Sequence, residues 1–200
     1  LQALVTYGAQ IQGALQKTLL EDAGNIVIKQ TLPRILRQIA NQTSIEILLG
    51  ALDQVQPALQ YPIIKALNKL RLYPQLEIDE ERINASLIHE AQTYYEMQTI
   101  RQLPWEDSSS VQLLSRSLLD RQHRSLELMF RLMGLRHPPQ DIYNAYEGII
   151  SRDESLRASA VEFLDNLLHH TIKRYLFPII DQISVEDTIH KGRSLFRYGL

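Results

Sequence analysis

The segment from Ala58 to Leu70, ALQYPIIKALNKL, decides the fold class of this 200-residue chain. Its apolar residues follow spacings of four, three, one and three, which places them in one stripe along a helix. The same pattern recurs without gaps in VIKQTLPRILRQI, Val27 to Ile39, and in SLRASAVEFLDNL, Ser155 to Leu167. The first two copies are offset by 31 residues and the last two by 97, about three such units. The sequence therefore predicts a helical unit that is repeated along the chain.

Six columns of residues coincide when the three copies are aligned. The apolar columns are Ile28/Leu59/Leu156, Leu32/Ile63/Ala160, Ile35/Ala66/Phe163, Leu36/Leu67/Leu164 and Ile39/Leu70/Leu167, and the polar column is Lys29/Gln60/Arg157. A two-helix unit of this length cannot bury its own apolar face, so neighbouring units must stack to form a core. We therefore expect an all-α fold, an α–α superhelix of the armadillo-type solenoid class.

Between the second and third copies the sequence predicts one long helical hairpin. Helical periodicity runs from Glu80 to Leu103 and from Ser110 to Leu135, each ~37 Å long at 1.5 Å per residue. The connector is short and polar, which favours antiparallel packing. The predicted inner stripes are Ile83, Leu87, Ala91, Tyr94 and Met97, then Leu119, Leu126, Phe130 and Met133. We expect a single domain over 1–200, with N-terminal repeats at 1–75, the hairpin at 79–135, and C-terminal repeats and a tail at 138–200.

Caps and prolines mark the predicted helix ends. The other helices are predicted at Leu4 to Leu20, Ile26 to Ala40, Ser44 to Leu52, Ala58 to Arg71, Gln140 to Ile150, Glu154 to Leu168, Ile172 to Ile183, and from Val185 onward. Capping boxes are predicted for Thr43 with Glu46 and for Ser151 with Glu154. Prolines are expected in first turns at Pro57, Pro62 and Pro138-Pro139, after helix ends at Pro74 and Pro104, and at kinks inside helices at Pro33 and Pro178.

The composition excludes several classes of function. Hydrophobic residues make up 44% and charged residues 22%, which is ordinary for a globular domain, and the net charge of -2 gives no basic excess for nucleic acid. There is no cysteine, which excludes disulfides, cysteine zinc sites and thiol nucleophiles. No stretch approaches the ~18 apolar residues of a membrane span. No signal peptide is visible at the start, and we expect the chain to be a piece of a longer protein, with a processed terminus as the alternative.

Every candidate for catalysis or metal binding lacks a necessary partner in the sequence. His89-Glu90 begins like a zinc-protease motif, but Thr93 stands where the second histidine belongs. The pairs Asp120 with His123 and Asp187 with His190 are one helical turn apart, yet no Glu-x-x-His motif completes a carboxylate site. No phosphate-binding glycine loop or nucleophile elbow occurs. The sequence therefore predicts neither an enzyme nor a bound cofactor.

Histidines and aromatic residues near helix ends have structural interpretations. We expect His169-His170 in a last turn, where imidazole interacts well with the negative end of a helix. Tyr94 and Tyr95 are expected in a helix interface. Trp105 follows a proline in a loop, so it is the candidate for contact with a partner.

The remaining polar candidates are positions of the repeat itself. Asn68 and Asn166 lie within two places of the ends of matched helices, where an amide is expected to bond backbone in the next inter-helix turn. The tail from His190 to Leu200 combines Lys191, Arg193 and Arg197 with Leu195, Phe196 and Tyr198. Such a tail suits a solvated end, with weak contact to anionic headgroups as the alternative.

Three segments resemble HEAT repeats, and more specifically a bacterial transporter family. LPRILRQIANQTSIEILLGAL, from Leu32, and ALQYPIIKALNKLR, from Ala58, look like HEAT units. RLMGLRHPPQDIYNAYEGIISRDESLRASAVEFLDNLL, from Arg131, resembles the soluble HEAT-like region of some bacterial major-facilitator transporters related to nucleotide (ATP/ADP) translocases. The resemblance covers roughly Ile26 to Ile183. Its most specific part is DNLL at Asp165–Leu168, with Arg157 and Ala158 ahead of it.

The resemblance implies a cytoplasmic appendage on the inner face of a bacterial membrane. It implies a regulatory or interaction domain that contacts a protein partner or a neighbouring domain of the same chain, touching the membrane only through an upstream part. It supplies no catalytic motif and no nucleic-acid partner. The alternative is a freestanding HEAT-type scaffold that binds a protein.

Overall fold

The structure, a computed structural model, describes residues 7–106, 108–181 and 183–196. Over these residues the chain is all-α, as predicted, with one short 3-10 helix at Gly8–Ile11, ten α-helices and no strand. The helices are α1 Gln12–Leu20, α2 Ile26–Ile39, α3 Gln42–Ala51, α4 Pro57–Leu70, α5 Glu80–Arg101, α6 Ser109–Met133, α7 Pro139–Ile150, α8 Glu154–Leu167, α9 His170–Ile180 and α10 Val185–Phe196.

The chain divides into two compact units, with the boundary between Ser86 and Leu87 inside α5. In the first unit, α1 packs against α3 and α2 against α4, while consecutive helices also pack together. Helices α1 and α3 thus form one layer and α2 and α4 a second layer. In the second unit, α7 packs against both α6 and α8, and α9 packs against α10. The expectation of a single domain stays a prediction.

The aligned columns differ in how far they are buried. Leu36, Leu67 and Leu164 are completely buried, and the column of Leu32, Ile63 and Ala160 is buried as well. In the first column, by contrast, Leu59 is buried whereas Ile28 and Leu156 are each 56% exposed. Two columns therefore form a core in every copy. The first and last columns are fully buried in α4 alone, and the column of Ile35 and Ala66 is buried in α2 and α4 but not at Phe163 of α8.

Both predicted capping boxes are wrong. Helix α3 begins one residue before Thr43, and its cap is Asn41, whose Oδ1 accepts the amide of Ser44 at 2.9 Å. Gln12 holds that cap by donating to the same oxygen at 2.7 Å. Helix α8 is capped by Asp153, which accepts two amides, of Ser155 at 2.8 Å and Leu156 at 3.2 Å. A carboxylate is favoured there because the helix N-terminus is positive.

Proline positions follow the predictions with one exception. Pro57 and Pro139 are the first residues of their helices, and Pro33 and Pro178 lie inside theirs. Pro62 was expected in a first turn, but α4 begins at Pro57, so Pro62 lies in the helix interior.

The two long helices form, but the stripe of the first differs from the prediction. Ile83, Leu87 and Ala91 are buried as expected, and the stripe continues in steps of four to Tyr95 and not to Tyr94. Helical spacing places Tyr95 on the buried face, and its hydroxyl can be buried there because it donates a hydrogen bond to the carbonyl of Tyr175 at 2.9 Å. In α6, Phe130 and Met133 are buried, whereas Leu119 and Leu126 are half-buried.

Candidate functional site: two grooves on a repeated hairpin

The polar column of the repeat makes the same hydrogen bond in all three copies. Lys29, Gln60 and Arg157 are each the fourth residue of their helix, and each donates to the carbonyl eight residues earlier, of Glu21, Leu52 and Ile149. Those carbonyls lie at the C-terminal end of α1, α3 and α7, where helix carbonyls lack internal partners. We call these three bonds the hairpin tethers. They make α1–α2, α3–α4 and α7–α8 equivalent hairpins.

A weaker version of the tether occurs in the last hairpin. Thr188 is the fourth residue of α10, and its hydroxyl lies 3.4 Å from the carbonyl of Pro178 near the end of α9. The same hydroxyl lies closer, at 2.9 Å, to the carbonyl of Ser184. A short side chain can therefore occupy the tether position without making it the preferred contact.

The other predicted repeat positions have separate contacts. Asp165 forms an ion pair with Lys173 of α9 at 2.8 Å. Asn166 is exposed and donates to Glu162 O of its own helix at 3.0 Å, so it does not reach the next turn as expected. The Oδ1 of Asn68 is buried and has no hydrogen-bond partner among the described residues. An unpaired buried amide oxygen lowers the free energy of unfolding. Stability of the fold therefore does not explain why an asparagine stands at Asn68.

A first groove lies at the C-terminal ends of α2 and α4. It has a volume of about 440 Å³, and Arg37, Gln38, Lys69, Leu72 and Tyr73 line it. Leu72 is 66% exposed, and Tyr73 is exposed too. We call this the basic groove, because two cations stand beside exposed apolar surface. The sequence prediction missed it, since its residues come from two segments about 30 positions apart.

A second groove lies between α7 and α8, with a volume of about 630 Å³. Its floor contains Gly148 and Ala160, and Leu156 and Phe163 expose apolar surface at its wall. The helices approach closely there, since a Cβ on Gly148 would meet the Ala160 Cβ at 2.7 Å. Its remaining lining residues are Asp141, Asn144, Ala145, Glu147, Ser151 and Ser159. We call this the acidic groove.

Two tyrosines of α7, neither of which lines the acidic groove, have pKa values above the ordinary tyrosine value. The pKa of Tyr143 is raised because its hydroxyl is hydrogen-bonded to Glu147, whose negative charge opposes ionisation. Burial raises the pKa of Tyr146, and the charges of Glu127 and Glu147 add to the effect. Both phenols therefore stay neutral at physiological pH. Such tyrosines are not activated acids or bases.

The aromatic candidates at the long helices separate into core and surface. Tyr95 is completely buried, with its ring 5.9 Å from that of Phe196. Tyr94 is half-buried, and burial raises its pKa. Trp105 is 45% exposed, as predicted, and its indole donates to the carbonyl of Ile100 at 2.9 Å. The indole nitrogen is thus satisfied, and the exposed ring is what a partner would meet.

The prediction for the two histidines is wrong, and the structure describes part of the tail. His169 and His170 are not in a last turn: α8 ends at Leu167, Leu168 is extended and buried, His169 caps α9 and His170 is its first residue. In the tail, Lys191 and Arg193 lie exposed on α10, whereas Phe196 packs 5.4 Å from the ring of Tyr175. Arg197, Tyr198 and the last two residues lie outside the described range.

The metal candidates lie on helix surfaces. Asp120, His123, His89 and His190 are exposed, and Asp187 is engaged with Ser184 at the start of α10. Within the part of the chain that the structure describes, no three histidine, aspartate or glutamate side chains are grouped to hold an ion. None of its helices is long and apolar enough to cross a membrane.

Comparisons with known proteins leave the family open. No family model, no curated protein and no solved structure matches the chain. The resemblance to the soluble region of bacterial transporters therefore stays a prediction that rests on the quoted segments.

Proposed function

We propose that this chain is a non-catalytic helical-repeat domain that binds a protein partner or a neighbouring domain of the same chain. The observation that carries the proposal is the acidic groove, where Leu156 and Phe163 expose apolar side chains beside Asp141 and Glu147. Apolar patches rimmed by polar groups are typical of interaction surfaces.

We further propose that the repeated hairpins belong to a HEAT-like α–α superhelix of the armadillo type. The hairpin tethers support this proposal, because three hairpins bond the fourth residue of the second helix to the end of the first. A repeated unit with one internal bond is what a stacked array is built from.

The transporter assignment rests on the resemblance alone. We propose that the domain is the cytoplasmic part of a bacterial major-facilitator transporter, at the inner face of the membrane. The complete reading frame tests this directly, because about a dozen apolar 20-residue segments should precede Leu1. A frame without them would leave a freestanding HEAT-type scaffold.

Site-specific photo-crosslinking tests the binding function. We expect a benzophenone amino acid at Phe163 or at Trp105 to give a discrete protein adduct, or an intramolecular crosslink to another domain, in the cells that produce the protein. The control is the same amino acid at Tyr7, an aromatic residue that is more exposed than either and lies outside both grooves. Leu156→Asp should abolish the Phe163 adduct. Equal adducts at all three positions, or none, would overturn the proposal.

A further inference from the structure

The charged side chains of helices α2 and α4, which pack together in the first unit, are all basic. Between them they hold Lys29, Arg34, Arg37, Lys65 and Lys69 and no acidic residue. Lys29 is buried in its tether, which leaves four cations. None of these four forms a hydrogen bond or ion pair with another described residue, so their charges are not neutralised within the fold.

The repeat brings these cations into register. Arg34 and Lys65 occupy the same position in consecutive copies, and Gln38 and Lys69 occupy another. Residues three and four apart share a helix face, so Arg34 and Arg37 lie on one face of α2, and Lys65 and Lys69 on one face of α4. Because α2 packs against α4, the two rows run side by side and end at the basic groove.

We infer that this basic surface binds an acidic peptide segment that carries an apolar side chain. The inference rests on the proposed function and specifies its partner. Carboxylates of the peptide complement the positive charge of the two rows, since a guanidinium such as that of Arg37 pairs well with a carboxylate. Leu72 and Tyr73, exposed at the end of the rows, receive the apolar side chain.

The dimensions of the surface favour a peptide over a small anion. Lys65 to Leu70, the part inside α4, spans ~7.5 Å at 1.5 Å per residue, and Leu72 and Tyr73 extend the surface beyond the helix end, so an extended peptide of a few residues at ~3.3 Å each covers it. A single phosphate would meet only one or two cations of this spread set. Nucleic acid is disfavoured because Glu77, Asp79, Glu80 and Glu81 follow the groove in the same unit and repel a phosphate backbone.

Fluorescence anisotropy with defined probes tests the inference on the whole chain. The probe is a labelled nine-residue peptide that alternates Glu with Leu and Phe. Matched probes replace every Glu by Lys, or every apolar residue by Ser, and a short single-stranded DNA is the polyanion probe. We expect the Glu/Leu/Phe peptide to bind most tightly, with an affinity that falls as salt is raised.

Charge variants locate the binding surface. Arg37→Glu with Lys69→Glu should weaken binding about tenfold or more, because attraction becomes repulsion at two contacts. The control, Lys17→Glu with Arg116→Glu, changes two exposed cations outside the groove by the same net charge and should weaken binding less than about twofold. Arg37→Gln with Lys69→Gln removes the charges without adding repulsion. It tests the same two contacts if the charge-reversal variant folds poorly.

Three outcomes would overturn the inference. They are equal weakening by the control variant, equal binding of the Lys probe, and tighter binding of DNA than of the acidic peptide. If the peptide fails while the Phe163 and Trp105 adducts persist, this inference alone is rejected. If the adducts are absent as well, the proposed function falls with it.

Discussion

The second helices of the hairpins in the two units share a skeleton and carry opposite charge. Arg34 and Lys65 of the first unit align with Glu162 of the second, and Arg37 aligns with Asp165. Yet the tether and two buried columns are the same in α2, α4 and α8. The difference teaches that tether and core positions specify the hairpin, whereas the exposed columns are free to specify what each surface contacts.

The largest expected effect separates core columns from exposed ones. Leu36→Ala, Leu67→Ala and Leu164→Ala should each cost about 3 kcal/mol in the free energy of unfolding, because each leaves a cavity in a closed core. In the first column, Leu59→Ala should cost a similar amount, whereas Ile28→Ala and Leu156→Ala should cost at most about 0.5 kcal/mol. Urea unfolding followed by circular dichroism measures these values. A large loss at Ile28 or Leu156 would show that a further surface covers them.

The next largest loss of stability is expected at Gly148, where α7 and α8 of the second unit are in close contact. Gly148→Ala should destabilise by about 2 kcal/mol, since its Cβ would meet Ala160 Cβ at 2.7 Å and the backbone oxygen of Leu156 at 3.1 Å. The matched control is Gly13→Ala in α1, where no atom lies within 4 Å of the added carbon. That change should stabilise by up to ~1 kcal/mol through helix propensity. Stabilisation by Gly148→Ala in thermal unfolding would contradict the close approach of α7 and α8.

The tethers should contribute unequally because their donors differ. Arg157→Met and Lys29→Met keep an apolar stem but remove a charged donor, and each should cost about 1.5–3 kcal/mol. Gln60→Met removes a neutral donor with a 3.3 Å bond and should cost about 1 kcal/mol or less. Denaturant midpoints of the three variants, measured together, test the order. A larger loss at Gln60 than at Arg157 would contradict it.

The helix ends give the smallest effect. Ala40, at the end of α2, has a left-handed backbone with φ of 50°, whereas its counterpart after α4, Arg71, is right-handed with φ of -59°. Ala40→Gly should therefore stabilise by about 0.5–1 kcal/mol, since glycine adopts that conformation without strain. Arg71→Gly should destabilise, and differential scanning calorimetry resolves the opposite shifts in Tm. Destabilisation by Ala40→Gly would mean that α2 does not end in that conformation.

The helices could be predicted from the sequence because apolar residues at Leu32, Leu36 and their equivalents repeat with helical spacing. The caps could not, because Asn41 and Thr43, or Ser151 and Asp153, are neighbouring candidates. Only the fold shows which oxygen faces the free amides. The column of Lys29, Gln60 and Arg157 was visible in the alignment, but the carbonyls it bonds were not.

The grooves were missed for a related reason. The basic groove combines Arg37 with Lys69 and Tyr73, which only the packing of α2 on α4 brings together. The sequence does contain a signal for it. In the aligned copies, one exposed column changes from basic at Arg34 and Lys65 to acidic at Glu162, and comparing the exposed columns as well as the apolar ones would have shown this.

The most direct test of the repeated hairpin is the carbonyl carbon chemical shift of Glu21, Leu52 and Ile149, measured by nuclear magnetic resonance in Lys29→Met, Gln60→Met and Arg157→Met. We predict that each variant moves the shift of the carbonyl eight residues before it more than that of any other carbonyl in the same helix. Variants that leave those three carbonyls unmoved would show that α1–α2, α3–α4 and α7–α8 do not share a tether.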